Sequence, residues 1–500
     1  MLGLTGGIIG AGFRNTVSSN YSVIGGGAGN TASGYISFVG GGSTNTASGS
    51  YSTVGAGRLN TASGYKSTVS GGEYNTVSGD YSTVGGGRCN TAPAGKGIAY
   101  QTISGGYCNT ASGLYSTISG GYANTASNQT STIGGGSSNT SSGSNSTIGG
   151  GLSNTASGYI SFVGGGRSNT ASDYYSTVGG GSNNTASGDT STISGGYKNI
   201  AGGKFSFIGG GSGNTASGTY SFIGGGRCNT APTGKGTTYQ TISGGLCNTA
   251  SGNYSTVSGG RSNTASSSRS TVGGGFLNTA SQYFSSVLGG IANTASGYYT
   301  TVSGGYYNTA SASRSLVVGG QCNTASGTAS AILGGTLNSA KGTYSFIGAG
   351  SGNTVTGNFS AAIGCGLNAT AACTLYTNNI ITETISATTI IAGVSQAQSL
   401  YTTTRVTPIT TTGTTIYLFP TSAYTSSFVD YYVSGSTGLR AGNIMAIWSG
   451  GTVNFTETST NDIGVTTPVT FGYGMSLSDA VLRASASTGT WIVESIVRGL

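Results

Sequence analysis

The sequence predicts an all-β chain. Residues 1–374 read as a parallel β-roll, a β-solenoid of 15-residue rungs; 375–399 as a neck or linker; and 400–500 as an antiparallel β-sandwich or jelly-roll knob. Three observations carry this. An asparagine returns every 15 residues from Asn15 to Asn90, from Asn109 to Asn229 and from Asn248 to Asn368, with only two steps of 19. Around each mark the text stays close to Asn-Thr-Ala-Ser-Gly-x-Tyr-Ser-Thr-Val-Gly-Gly-Gly-x-x, as from Asn75 onward. Beyond residue 400 the repeat gives way to short strand-like runs separated by turn residues. A unit this short cannot bury a core alone, so each repeat is one rung of a stack.

Within a rung, Tyr81-Ser82-Thr83-Val84 alternates with period two, which turns serine and valine inward and tyrosine and threonine outward. The alanine of Asn-Thr-Ala, as at Ala32, Ala62 and Ala126, supplies a second inward segment. The column Gly12, Gly27, Gly42, Gly57, Gly72 and Gly87 marks a corner that larger residues cannot turn, with Cys365 expected in its place in the last rung. Stacked Asn15, Asn30, Asn45, Asn60, Asn75, Asn90, Asn109 and Asn124 are expected to form a structural ladder of amide-to-amide hydrogen bonds. Asparagine also tolerates the left-handed corner conformation. A core of Ser, Ala, Val and Gly is thin. Association through a shared face would reinforce it, and a parallel homotrimer is the simplest closed form that keeps register.

Composition excludes several classes. With 96 glycines, 30 tyrosines and 6% charged residues, the chain is neither a charged disordered tail nor, lacking a strict every-third glycine, a collagen. No apolar run of about 18 residues exists to span a membrane as a helix. Met1 to Gly12 lacks the pattern of a signal peptide, and Ile9 to Arg14 already fits the end of a rung. Residues 1–374 carry 14 Lys and Arg against four acids, but no basic run with interleaved stacking platforms, so no nucleic-acid partner is expected.

The repeat Ala-Ser-Gly-x-Tyr-Ser-Thr-Val-Gly-Gly-Gly resembles the head repeat of trimeric autotransporter adhesins, the YadA-like head, whose coils read Ala-x-Gly-x-x-Ser-x-Ala-Ile-Gly. The nearest match is Ser360-Ala361-Ala362-Ile363-Gly364. The resemblance implies a left-handed roll with three chains side by side, and such repeats also occur in viral and phage fibres. Residues 375–500 show neither the membrane-embedded anchor of those adhesins nor its pattern. They resemble, more weakly, terminal domains of phage and viral fibres at Arg440 to Met445 and Gly489 to Val493.

The two long steps are near copies. Each adds four residues at Pro93-Ala94-Gly95-Lys96-Gly97 or Pro232-Thr233-Gly234-Lys235-Gly236, a bulge in which Lys96 or Lys235 can meet a ligand. Neither Gly-Lys-Gly has the spacing of a phosphate loop. Gln101 and Gln240 replace the inward serine just after. Cys89 with Cys108 and Cys228 with Cys247 bracket the bulges one rung apart, a spacing that suits either a disulfide or stacked free thiols. No metal or cofactor site is expected.

Seven strands are expected in the last part: Thr414 to Phe419, Phe428 to Ser434, Asn443 to Trp448, Thr452 to Thr458, Val469 to Tyr473, Ala480 to Ala484 and Trp491 to Val497. Tyr431, Tyr432 and Trp448, with Trp491, are candidate glycan platforms, against burial in the sandwich. A second candidate is the shaft column Tyr21, Tyr51, Tyr81, Tyr115 and Tyr175, against packing between chains.

The chain has no histidine, and its carboxylates Asp430, Glu457, Asp462, Asp479 and Glu494 show no diagnostic spacing, so no enzyme is expected. The sequence therefore points to a trimeric phage or virus fibre on the virion surface, binding a host glycan or protein receptor. The alternative is a secreted cell-surface adhesin or appendage subunit. Threonine columns at Thr53, Thr68 and Thr83 raise ice binding as a third class, but Phe38, Phe162, Phe207 and Phe222 interrupt them.

Overall fold

A computed structural model describes residues 6–95, 97–234, 238–378, 391–392, 399–406, 414–420, 426–435, 438–449, 452–459, 463–464, 469–476, 479–486 and 491–499. The chain divides into two compact units, Met1–Ile380 and Ile381–Leu500. No helix occurs among the described residues.

The first unit is a parallel β-solenoid of about 24 turns. Each rung offers two short strands and one single-residue bridge to its neighbours. In the rung beginning at Asn75, Thr76–Val77 pairs in parallel with Thr61–Ala62 below and Thr91–Ala92 above. Thr83–Val84 lies between Thr68–Val69 and Thr102–Ile103, and Arg88 bridges Glu73 and Tyr107. Residues equivalent in the repeat thus stack on themselves, which makes the 15-residue period visible as structure. The two insertions leave this register intact, because Thr83 pairs Thr102 and Phe222 pairs Thr241 as if the extra residues were absent.

The inward set is as the alternation predicts. Ser82, Val84 and Val77 are fully buried, and in many rungs isoleucine takes the valine site, as at Ile118, Ile133 and Ile148. The asparagines are buried as well, but their ladder differs from the amide-to-amide chain expected. Asn75 Oδ1 accepts the backbone N–H of Asn90 at 3.0 Å, while its Nδ2 donates to Gly71 O at 3.0 Å and Gly87 O at 2.9 Å. Both amide hydrogens and the carbonyl of a buried side chain are thereby satisfied, one acceptor lying in its own rung and one in the next. Amide-to-amide contacts are longer and occur at only some rungs, such as Asn75 to Asn60 at 3.2 Å. Nor do the asparagines adopt positive φ. The residue before each does, as at Tyr74 (φ 58°) and Cys89 (φ 56°), and so does the tyrosine site, as at Tyr81 (φ 56°). Tyr81 N–H donates to Tyr65 O at 2.7 Å, so an inter-rung bond holds this strained corner.

The glycine column is sterically required. Gly87 has φ +83°, and a Cβ there would stand 2.1 Å from Gly106 O. The last turn departs from the ruler. Thr354 pairs with Asn368, a step of 14, and Asn353 Oδ1 receives the N–H of Leu367 at 3.0 Å. Asn368 therefore lies exposed and off the ladder, and Gly364 rather than Cys365 receives the Asn353 amide, at 2.6 Å. The final parallel pairing joins Ala361–Ile363 to Leu375–Thr377, three residues past the expected boundary. The expected neck falls largely outside the described residues.

The second unit holds two antiparallel sheets. One runs in the order 391–392, 399–406, 491–499, 426–435, 438–449, 452–459, with 463–464 against 438–439; the other runs 414–420, 479–486, 469–476. All seven expected strands are present. Ser399–Val406, absent from the expectation, pairs with the carboxyl-terminal strand from Leu400 opposite Gly499 to Val406 opposite Val493. The sheets touch where Tyr431 meets Phe471, ring centroids 4.5 Å apart, and where the Ser427 and Tyr473 hydroxyls share a 2.9 Å hydrogen bond.

Candidate functional surface

On the solenoid, the positive-φ tyrosine site points its side chain outward, and rung stacking places successive rings in contact. Tyr81, Tyr100 and Tyr115 stack at 5.0 and 5.1 Å, and Phe205, Tyr220, Tyr239 and Tyr254 at 4.8, 4.7 and 5.0 Å. Tyr100 and Tyr239 belong to the inserted rungs, so each column passes unbroken beside a bulge. Sequence spacing hid this continuity, although the shared Tyr-Gln-Thr-Ile after each insertion carries it. Nearer the amino end the contact changes. Tyr21, Tyr35, Tyr51 and Tyr65 alternate between adjacent corner positions and meet edge to face at 84°. A stacked ring spends both faces on its neighbours and leaves its edge to solvent, whereas in an edge-to-face pair one ring sets its edge against the face of the other.

Cations punctuate the columns. Lys66 Nζ stands 5.3 Å from the Tyr65 and Tyr81 ring centres, and the Arg269 guanidinium 5.1 Å from Phe284 and 5.6 Å from Tyr283. Two of the four shaft acids pair with cations of neighbouring rungs. Arg58 and Arg88 flank Glu73, and Lys204 bonds Asp189 at 2.8 Å, lowering the pKa of the Asp189 carboxyl through that hydrogen bond.

At the bulges, Pro93, Ala94, Gly95, Gly97 and Ile98 leave the rung while Ala99 returns to the core. Gln101 fills the space beneath. Its N–H donates to Ser82 Oγ at 2.9 Å, and among the described residues its buried Nε2 finds no acceptor and the buried amide of Gln240 no partner. Lys96 and Lys235 lie outside the described residues. Cys89, Cys108, Cys228 and Cys247 are free thiols at the same corner of consecutive rungs, all with positive φ. Burial, then the hydrogen bond with Cys89, raises the Cys108 thiol above its ordinary pKa.

In the second unit, Tyr431 (4% exposed) and Trp448 (5%) are buried, whereas Tyr432 (42%) faces solvent. The Tyr431 hydroxyl donates to Glu457, and Arg440, 3.7 Å from Glu457, donates to Val469 O at 2.8 Å. This knot ties the two sheets together. Burial raises the Tyr473 phenol to about 12, the Ser427 hydrogen bond opposing it. Of the expected carboxylates, Asp430 and Glu457 have described side chains, while Asp462 and the side chains of Asp479, Glu494 and Trp491 lie outside the described residues. Among the described residues no group of His, Cys, Asp and Glu is placed to hold a metal ion, and no helix is long and apolar enough to cross a membrane.

No protein-family model matches the chain, and no curated protein does. Among the solved structures similar to it are two tailspike proteins. One is the tailspike protein of Acinetobacter phage vB_ApiP_P1, at 9% identity over 87% of this chain and 82% of that one, TM-score 0.20. The other is tailspike protein gp49 of Acinetobacter baumannii bacteriophage Fri1, a capsular polysaccharide depolymerase, at 8% identity over 98% and 80%, TM-score 0.18. At these TM-scores the likeness carries no argument about shape or activity. It does correct one expectation. Because one matched chain is itself an enzyme, the exclusion of enzymatic activity, drawn from missing histidines and scattered carboxylates, is withdrawn.

Proposed function

We propose that the chain is a fibre protein of a phage or virus, a rigid homotrimeric shaft that presents its carboxyl-terminal unit as a receptor-binding knob at the virion surface. The observation that carries this reading is the unbroken register of the solenoid. Pairing passes from Ile8 to Thr377 through two insertions with every rung joined to the next, the step shortening to 14 residues only in the last turn, and a separately folded antiparallel unit follows. Cross-rung hydrogen bonding of this kind makes a stiff spacer, and a spacer serves whatever it projects. The YadA-like repeat supports the left-handed, three-chain form, and it equally favours a second reading as a secreted adhesin or appendage subunit.

The receptor is a host-surface glycan or protein, and exposed Tyr432 is the knob position to probe first. A glycan array with the full chain tests this. Tyr432→Ala is expected to lower binding at least tenfold, while Tyr100→Ser with Tyr115→Ser leaves it unchanged. The reverse pattern would place recognition on the shaft, and no glycan binding at all would turn the search to protein receptors.

A further inference from the structure

We infer that copies of this chain meet through the outer face of the Ser-Thr-Val-Gly-Gly-Gly segments, in parallel register along the solenoid; the inference rests on the multichain reading above and names its contact. Across all these segments no charged residue occurs, although residues 1–374 carry 14 cations and four acids elsewhere in the repeat. A free sheet face of this length ordinarily carries charge, and depletion of charge is what the centre of an interface shows. The face instead exposes apolar groups. Phe38, Phe162 and Phe222 replace the outward threonine and are 41–42% exposed, and Leu288 (56%) and Leu333 (47%) stand two residues further along the segment.

Two details make the face flat. Wherever phenylalanine takes the threonine site, the residue two further on is glycine, and the ring lies over it. A Cβ built at Gly40 would stand 3.4 Å from Phe38, and one at Gly164 3.4 Å from Phe162. The middle glycine of each triplet is harder to explain within one chain. At Gly120, Gly135, Gly210 and Gly274 a φ of 157–159° itself favours glycine, but at Gly180 and Gly195 no such φ occurs and a Cβ would meet nothing within 4 Å, yet only glycine or alanine fills this place in every rung. A second surface approaching closely supplies the missing reason.

That surface must tolerate the same restriction at each rung, so it must share the rung spacing of about 4.8 Å over the whole length. A second copy in register has that period, whereas a globular partner does not. A strip some 22 rungs long and about 10 Å wide offers roughly 1,000 Å² per copy, above the roughly 800 Å² per partner of a stable complex. The Asn-Thr-Ala-Ser-Gly face is the weaker candidate, since Asp173 and Lys341 interrupt it and no aromatic residue lies on it.

The test is photo-crosslinking of the full chain carrying benzoylphenylalanine at one site, with native mass measured in parallel. From Thr177, on the proposed face, covalent dimers and trimers are expected; from Thr185 and Tyr175, on the other faces, monomers. Gly180→Lys with Gly195→Lys, which the single chain accommodates, is expected to lower the Thr177 yield at least fivefold while circular dichroism stays unchanged. Multimeric mass with crosslinks from Thr185 or Tyr175 instead would overturn the face and leave the multichain reading standing. Single-chain mass would overturn both.

Discussion

The two units reach β structure by opposite routes. In the solenoid every strand pairs with the copy of itself one rung away, so that Thr76 meets Thr91 and Thr83 meets Thr68. In the carboxyl-terminal unit Leu400 finds Gly499, and the sheet exists only once both ends of the segment have met. The first kind of structure is specified locally and tolerates insertion, as the pairing of Thr83 with Thr102 and of Phe222 with Thr241 shows. The second depends on distant contacts and on a few buried groups, Tyr431, Arg440 and Glu457 among them. Repetition thus gives the solenoid extent, and irregularity gives the other unit positions that can be individual.

The contrast can be broken most severely at a corner glycine. Gly106→Ala forces a side chain onto φ +93° with its Cβ 2.2 Å from Gly121 O, and a loss of about 3 kcal/mol or more is expected, read by urea denaturation. Asn109→Ala comes next. It strands the N–H of Asn124 and the carbonyls of Gly105 and Gly121, buried groups whose loss costs about 2–4 kcal/mol in the same assay. Asn368→Ala, identical on the sequence ruler, is expected to cost less than about 0.5 kcal/mol because that residue lies exposed off the ladder. Equal losses at the two asparagines would refute the ladder geometry.

For the second unit the sharper probe is alkaline pH. The Tyr473 phenol has its folded pKa raised to about 12, so the stabilisation from keeping it neutral is fully present below its unfolded value near 10. It is lost as pH rises from there through 12, a decline of about 2 kcal/mol that should be absent in Tyr473→Phe. Smallest of all is Glu73→Gln, which removes an exposed cross-rung ion pair and is expected to leave the melting temperature unchanged. A Cys89–Cys108 disulfide, still open as a proposal, would appear as a 2 Da decrease in intact mass after air oxidation, and Cys108→Ser would abolish it.

Much of this was legible in the sequence because repetition multiplies a weak signal. One Ser-Thr-Val run says little, but twenty stacked runs fix which side chains point inward. The misreadings arose where a residue's role depends on a neighbour's backbone. Nothing in Asn-Thr-Ala says that the preceding residue, Tyr74 or Cys89, bears the left-handed strain so that the asparagine can bond two carbonyls. Asn368 keeps the 15-residue count while the turn before it has lost a residue, so the ruler and the register part company there. In the second unit, alternation revealed seven strands but missed Ser399–Val406, where a run of threonines blurs the period. For Tyr431 and Trp448 the sequence left both a platform and burial in the sandwich open, because composition records the residue type and not the face on which the strand places it; both are buried.

Cryo-EM of the intact protein would show whether the 15-residue period builds one continuous shaft shared by several copies of the chain. The expected result is three chains side by side, with rungs about 4.8 Å apart running without a break past both insertions to Thr377. Isolated single chains, or a solenoid interrupted at either insertion, would contradict it.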